Sequence, residues 1–327
     1  MTPIEGATTA GAVVTVAIPV LNGGELFARA LAAIRNQVVA AELELVVSDS
    51  GSTDGSRERA YEYGARVLEI ARSDFNHGAT RNLLMDAARG SHVALLTQDA
   101  EPADEHWLAR LLAGFDEGDD VALVYGRYLP RPDASPAVRR ELERWFGTLP
   151  PGVERLSAAE RDLPAVELMG RRGFFSDANA ALARAAWERV PFRDIAYAED
   201  RALALDMLRA GYAKVYQPAA AVLHSHEYGA GQRFRRAYDE WRGLNEVYGW
   251  REPATPTRLL SQLRGELGPL RRDGAGLASL AGAARDQLIR HAGAVLGSRG
   301  TRLPAALQRR LSLERRASEP ARERPAR

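Results

Sequence analysis

Residues 46–56 read VVSDSGSTDGS, and the fold class turns on how that stretch is taken. A β-branched pair closes a strand, Asp49 follows at its carboxyl end, and Gly and Ser residues turn the chain toward a helix starting near Ser56. Asp54 or Ser52 is placed to cap that helix by accepting its free N–H groups. Asp49 lies before the turn, where a carboxylate can accept from a nucleobase imide or a ribose hydroxyl. The stretch holds neither GxGxxG nor GxxxxGK[ST], which sets aside a dinucleotide fingerprint and a P-loop.

The same alternation continues on both sides. Val13–Val20 (VVTVAIPV) reads as a buried strand. Residues 24–36 carry Leu26, Phe27, Ala30, Leu31 and Ile34 at the spacing of a helix with one buried face. Strands are expected at 44–47, 65–70 and 93–97, and helices at 56–63, 80–88 and 105–115. This pattern over about the first 125 residues predicts right-handed βαβ units, hence an α/β fold with a Rossmann-like, mostly parallel sheet flanked by helices. Ligands of such sheets bind beyond the strand carboxyl ends. Polar residues fall there: Asn22 after the first strand, Asp49 after the second, 74–77 after the third, Asp99 after the fourth.

Segment 126–175 is richer in Pro, Arg and Glu, with a helix expected at 136–146. Helices are then expected at 179–190 and 200–210, and strands near 214–216 and 220–224. Beyond Trp250 the chain reads as helical, amphipathic and arginine-rich.

Of 327 residues, 46% are hydrophobic and 27% charged, which excludes wholesale disorder. The absence of cysteine excludes thiol nucleophiles, disulfides and cysteine-bound zinc. The net charge of +1 conceals an asymmetry: residues 251–327 hold 16 Arg against 7 acidic residues, leaving an acidic body before them. That balance argues against a nucleic-acid-binding core and leaves the tail to meet an anionic surface. The longest apolar stretch, 274–297, is interrupted by Arg285, Asp286 and Arg290, so no membrane span is expected. The start lacks a signal-peptide pattern. A cytoplasmic protein is expected, with peripheral contact to the inner face of the plasma membrane through 251–316. Within that segment, 303–316 (LPAALQRRLSLERR) reads as an interfacial helix or as a packed helix with an arginine-rich solvent face.

Four further motifs carry chemistry. In DFNHGATRN (74–82), Gly78 permits a tight turn into a helix whose free N–H groups lie near Arg81; the ordinary alternative pairs Arg81 with Asp86 or Asp74. LLTQDAEP (95–102) delivers Asp99 to the end of a strand, where a divalent cation could neutralise a leaving diphosphate; the ordinary alternative is a helix cap, a task for which Asp104 is better placed. Glu199 and Asp200 open a helix, where the dipole favours carboxylates, and one of them can face the pocket as a general base. AAAVLHSHEY (219–228) ends a strand with His224 and His226 on one face, a metal or phosphate signal against a structural role.

In order, AIPVLNGG (17–24), VSDSGSTDGS (47–56), FNHGATRN (75–82), LTQDA (96–100), AEDRAL (198–203) and VLHSHEY (222–228) resemble the family 2 inverting glycosyltransferases of GT-A fold. FNHGATRN with TQDA is most similar to bacterial rhamnosyltransferases that use dTDP-L-rhamnose. The resemblance covers about residues 13–250. It implies a GT-A domain over 13–250, a helical basic C-terminal extension over 251–315, and disordered ends at 1–12 and 316–327.

The resemblance also implies that Pro19, Asn22, Asp49, Ser50, His77, Arg81 and Gln98 hold a dTDP- or UDP-sugar, with Asp49 at the base. Asp99 corresponds to the last Asp of the DxD metal motif, whose first position is Thr97 here. Asp99 and His224 would hold Mg²⁺ or Mn²⁺, His224 alternatively touching the diphosphate. Asp200, with Glu199 beside it, would be the base that activates a glycan or lipid-linked acceptor. The QxxRW signature of processive synthases is absent, since Gln232-Arg233 precedes Phe234 and Arg235, which fits single addition. Other readings are a UDP- or GDP-sugar transferase of another specificity, a sugar nucleotidyltransferase, or a non-catalytic module. The second would need a basic residue after the first strand, which AIPVLNGG lacks. The third is opposed by Asp49, Asp99 and Asp200 and favoured by Thr97.

Overall fold

A computed structural model describes residues 12–314. The ends expected to be disordered, 1–12 and 316–327, lie outside the described residues except for Ala12. The described residues divide into two compact units, one of residues 12–163, 168–194 and 199–226, the other of 164–167, 195–198 and 227–314.

The first unit runs β1 (Val13–Val20), α1 (Gly24–Arg35), β2 (Glu42–Asp49), α2 (Ser56–Glu62), β3 (Arg66–Glu69), α3 (His77–Ala87), β4 (His92–Leu96), β5 (Glu101–Pro102) and α4 (Trp107–Ala113). It continues with β6 (Val121–Leu129), α5 (Pro136–Phe146), β7 (Gly152–Glu154), α6 (Ala158–Arg161), β8 (Asn179–Ala183), α7 (Arg184–Trp187), α8 (Glu199–Arg209) and β9 (Ala213–Leu223). Val14, Val16, Ala17 and Ile18 of β1 are all buried, as a strand covered on both faces must be. From α1, Phe27, Ala30, Leu31 and Ile34 enter the core, while Leu26 stays on the outer face.

Nine strands form one sheet in the order β3-β2-β1-β4-β8-β6-β9-β5, with β7 added on β9. The expected parallel arrangement holds for β3, β2, β1 and β4. Beyond them the sheet is mixed: β8 runs antiparallel to β4 and β6, and β9 runs parallel to β6. The difference arises at 179–190, expected to be one helix. NAALA at its start is instead β8, buried along its whole length, and only Arg184–Trp187 is helical. Alanine's local helix preference is overridden where two neighbouring strands claim the backbone N–H and C=O groups.

The strands expected at 214–216 and 220–224 are one strand, β9, with a bulge where Pro218 has no N–H to give. Gly126 ↔ Gln217 and Tyr128 ↔ Val222 are paired, so residues 218–221 loop out opposite Arg127. Gly126 is required there, because a Cβ would lie 1.7 Å from the Ala220 carbonyl oxygen. Asn179 locks the bulge, donating from Nδ2 to the carbonyls of Ala220 (2.8 Å) and Arg127 (3.2 Å) and accepting from Trp107 Nε1 (2.8 Å).

The second unit contains α9 (Ala230–Tyr248), α10 (Pro256–Arg272), α11 (Leu277–Gly297) and α12 (Ala305–Leu311). Its longest segment begins at Glu227, ahead of residue 250, because α9 packs on α11. The approach is close: a Cβ on Gly297 would lie 2.2 Å from the Tyr238 carbonyl oxygen. Glu252 is fully buried, accepting from Arg258 Nε (2.6 Å) and Gln262 Nε2 (2.7 Å). The helix expected through 303–316 stops at Leu311, since Leu313 N–H donates to Asp239 Oδ2 (2.7 Å). No helix among the described residues is long and apolar enough to cross a membrane.

Candidate active site

Strand directions decide what meets. Two antiparallel steps, β4 to β8 and β8 to β6, restore the direction of β4, and β9 follows β6. The carboxyl ends of β1, β2, β4 and β9 therefore open on one rim, where Asn22, Asp49, Asp99 and His224 leave the sheet. β5 pairs antiparallel with the end of β9, Glu101 opposite Leu223, and so holds Asp99 beside the histidines.

His224 Nδ1 lies 3.5 Å from Asp99 Oδ1, and His226 Nε2 lies 3.3 Å from Asp99 Oδ2. One ligand atom from each of the three residues lies within 4.8 Å of the others. Burial pushes the Asp99 carboxyl up, but His224, His226, Thr97 and a backbone hydrogen bond together hold the group below its ordinary range. Burial lowers His224 to about 4 against the opposing pull of Asp99, so its ring is neutral at physiological pH. His224 Nδ1 is buried and makes no hydrogen bond among the described residues. A buried imidazole nitrogen without a proton partner, beside an ionised carboxylate and a second imidazole, fits a divalent cation. Tyr128 holds the His224 ring edge-on, their centroids 4.9 Å apart, and donates to Ser176 Oγ (2.5 Å).

The carboxyl pair opens α8. Glu199 is buried, 3.6 Å from His77 Nδ1. Burial drives Glu199 up to about 8, with Asp177 and Asp200 adding to the rise and His77 opposing it. Burial and then Asp177 raise Asp200 to about 6, against the pull of Arg201. At neutral pH Glu199 keeps its proton and Asp200 has lost its own, so one carboxyl can donate and its neighbour can accept. Ala198, immediately before them, holds φ at +62°, strained for a residue with a Cβ.

The other expected site residues are placed as follows. Asp49 is buried at the end of β2 and accepts from Ser52 N–H (3.1 Å). Asn22 (φ +50°) accepts from Thr53 N–H (2.8 Å), and its own N–H donates to Ser52 Oγ (2.9 Å). Asp54 accepts from Ser56 N–H (3.0 Å), a free donor of the first turn of α2 as expected, although Gly55 holds the N-cap position; it also accepts from Gly24 N–H (2.8 Å) and so joins two loops. Pro19 pairs with Ser48 in the sheet, Ser50 Oγ donates to the Val20 carbonyl (3.1 Å), and Gln98 Oε1 accepts from Leu21 N–H (2.8 Å).

Arg81 differs from its expected role. Its guanidinium is buried, with Nε 2.7 Å from Asp177 Oδ2 and the terminal nitrogens donating to the carbonyls of Leu96 and Asp177 (3.0 Å each). It is neither exposed to hold a nucleoside nor paired with Asp86 or Asp74. It is the strut joining α3 to the end of β4. Its partner Asp177 was not singled out from the sequence, because no local pattern marks a residue whose role is set by a helix 96 positions earlier. Tyr128 and Asn179 were missed for the same reason.

The chain matches the family description Glycosyl transferase family 2 over residues 15–189. The O-antigen chain rhamnosyltransferase WbaN of Salmonella anatum is 36% identical over 200 residues, covering 60% of this chain and 61% of that protein. The O-antigen chain rhamnosyltransferase RfbN of Salmonella typhimurium is 34% identical over 232 residues, covering 69% of this chain and 70% of that protein. Among solved structures, mannosyltransferase PcManGT from Pyrobaculum calidifontis, in complex with GDP-Man and Mn²⁺, is similar with a TM-score of 0.60 at 20% identity, over 90% of both chains. Glucosyl-3-phosphoglycerate synthase from Mycobacterium tuberculosis, in complex with Mg²⁺ and UDP, has a TM-score of 0.52 at 20% identity, over 73% of this chain and 80% of that one. These likenesses agree with the GT-A fold expected from the sequence. A family match across more than half of the sequence, on a sheet whose carboxyl rim gathers a carboxylate–imidazole cluster, makes the chain a member of glycosyl transferase family 2.

Proposed function

We propose that the protein is an inverting glycosyltransferase that moves L-rhamnose from dTDP-rhamnose to a hydroxyl of a cell-surface glycan or lipid-linked acceptor. The observation that carries this reading is the cluster of Asp99, His224 and His226 on the rim that also receives Asp49. Asp49 and the Asn22 loop hold the nucleoside, and Asp99 with the two histidines faces the diphosphate. A divalent cation bound there supplies positive charge against that developing on the leaving diphosphate. Two imidazoles with one carboxylate suit Mn²⁺ better than Mg²⁺, which prefers an all-oxygen shell.

Asp200 takes the acceptor proton as the hydroxyl attacks from the face opposite the diphosphate, which inverts the anomeric centre without a covalent enzyme intermediate. Glu199 stays protonated beside it and keeps a second negative charge away from the diphosphate. The rhamnosyl assignment is supported by the 34–36% identity to two relatives named as rhamnosyltransferases. Peripheral contact with an anionic inner-leaflet surface through 251–316 completes the reading and would place the protein near lipid-linked acceptors.

Thermal-shift screening against dTDP-, UDP- and GDP-sugars with and without Mn²⁺, followed by donor turnover without acceptor, tests it. A Mn²⁺-dependent shift with dTDP-rhamnose alone is expected. Stabilisation by another nucleotide sugar with none by dTDP-rhamnose would overturn the donor assignment.

A further inference from the structure

Arg235, Arg309, Arg310 and Ser312 line a cleft of about 400 Å³ in the second unit. The arginines come from distant parts of the chain, one from α9 and two from the last turn of α12. Asp239, one turn after Arg235, brings them together: its buried carboxylate accepts from Leu313 N–H (2.7 Å) and the Ser312 hydroxyl. That clamp ends α12 and holds its last turn against α9. Asp239 has its own cation in Arg242, 3.6 Å away, so it is not the counter-charge of the cleft.

All three guanidiniums are exposed, and among the described residues none has a hydrogen-bond or ion-pair partner. Other exposed arginines, Arg251, Arg271 and Arg272 among them, also have no partner among the described residues, but Arg235, Arg309 and Arg310 are gathered around one cleft. Three planar five-donor groups around one cleft, with no carboxylate among the lining residues, match an anion with several oxygen acceptors, and phosphate is the group such forks grip best. Leu307, 40% exposed, precedes Arg310 by three residues and so shares its side of α12. An apolar side chain beside a phosphate-binding cleft has no use for free phosphate but suits a headgroup with acyl chains below it.

We propose that this cleft takes the phosphate of an anionic phospholipid headgroup, with Leu307 entering the acyl boundary. The proposal rests on the membrane contact read above and narrows it from a basic tail to one site. It also replaces the interfacial helix expected over 303–316, since α12 spans only Ala305–Leu311.

The test is flotation of the full chain with vesicles of phosphatidylcholine alone or mixed with phosphatidylglycerol. Two triple variants are compared, R235A/R309A/R310A and a charge-matched control, R251A/R271A/R272A, whose arginines are also exposed and lie outside the cleft. Both should keep the wild-type Tm. Wild type should float only with the anionic vesicles. The cleft variant should lose partitioning about 100-fold, at roughly a fivefold contribution per arginine, while the control keeps most of it, and Leu307→Ser should weaken it further. Equal losses in the two triple variants would overturn the cleft and leave diffuse membrane attraction standing. Failure of wild type to float would overturn both. If inorganic phosphate or pyrophosphate stabilises wild type but not the cleft variant, and vesicles are not bound, the lipid assignment falls to a free anion.

Discussion

The adjacent carboxyls Glu199 and Asp200 have opposite expected responses to removal of charge. With Asp200 raised to about 6, the ionised fraction is about 0.9 at pH 7 and about 0.1 at pH 5, so kcat/KM should fall about tenfold between them. With Glu199 at about 8, activity should fall again above that pH, as a second negative charge appears beside the base and the diphosphate. Asp200→Asn should lower kcat by about 10²–10⁴, the usual worth of a positioned general base, while leaving donor affinity intact. Glu199→Gln imitates the protonated acid: at pH 7 it should stay within a few-fold of wild type, and its alkaline limb should disappear.

Stability carries the same signature. Between the ordinary carboxyl range and about pH 8, the folded chain holds a Glu199 proton that the unfolded chain has lost, so folding weakens as pH rises. Glu199→Gln should therefore raise Tm at pH 8 and leave it unchanged at pH 4. The assay is transfer from dTDP-rhamnose over pH 5–9, with thermal melts at both ends. A flat rate from pH 7 to 5, or turnover kept by Asp200→Asn and lost by Glu199→Gln, would refute the division of roles.

Three further outcomes are expected. Chelation with EDTA should abolish transfer, and Mn²⁺ titration by electron paramagnetic resonance should show binding lost in Asp99→Asn and weakened at least tenfold in His226→Ala; wild-type affinity in both would assign the charge elsewhere. Arg81→Met should destabilise by about 3–5 kcal/mol, because Asp177 is left buried without its cation, while donor KM in the folded fraction stays near wild type; a large donor KM effect with unchanged Tm would restore Arg81 to the nucleoside. Gly126→Ala should weaken Mn²⁺ binding through the β9 bulge although residue 126 ligates nothing, and unaltered Mn²⁺ affinity would mean the bulge does not set His224.

Local pattern made much of the first unit readable. β1, β2 and β4 are apolar runs between turn residues, and α1 and α5 show helical spacing or caps within their own residues. β8 was not readable, because NAALA carries no β-branched side chain and becomes a strand only between β4 and β6. Asp99 and His224 stood out by lying at strand ends. Arg81 stood out equally and proved to be a strut, since a guanidinium before a strand end reads the same whether a ligand or Asp177 takes its hydrogen bonds.

The order of chemistry-bearing segments, the alternation of strand and helix over about the first 125 residues, and the acidic body with its basic tail are properties of the linear chain, set by side-chain type and spacing alone. The tertiary structure decided which groups meet. Two strand reversals bring β9 back parallel to β4 and so carry His224 and His226 to Asp99. Burial raises both Glu199 and Asp200, and their different charged neighbours, His77 beside the one and Arg201 beside the other, set them apart although they adjoin in sequence. Desolvation and pairing depend on what lies across the fold, and neighbours along the chain carry no record of it.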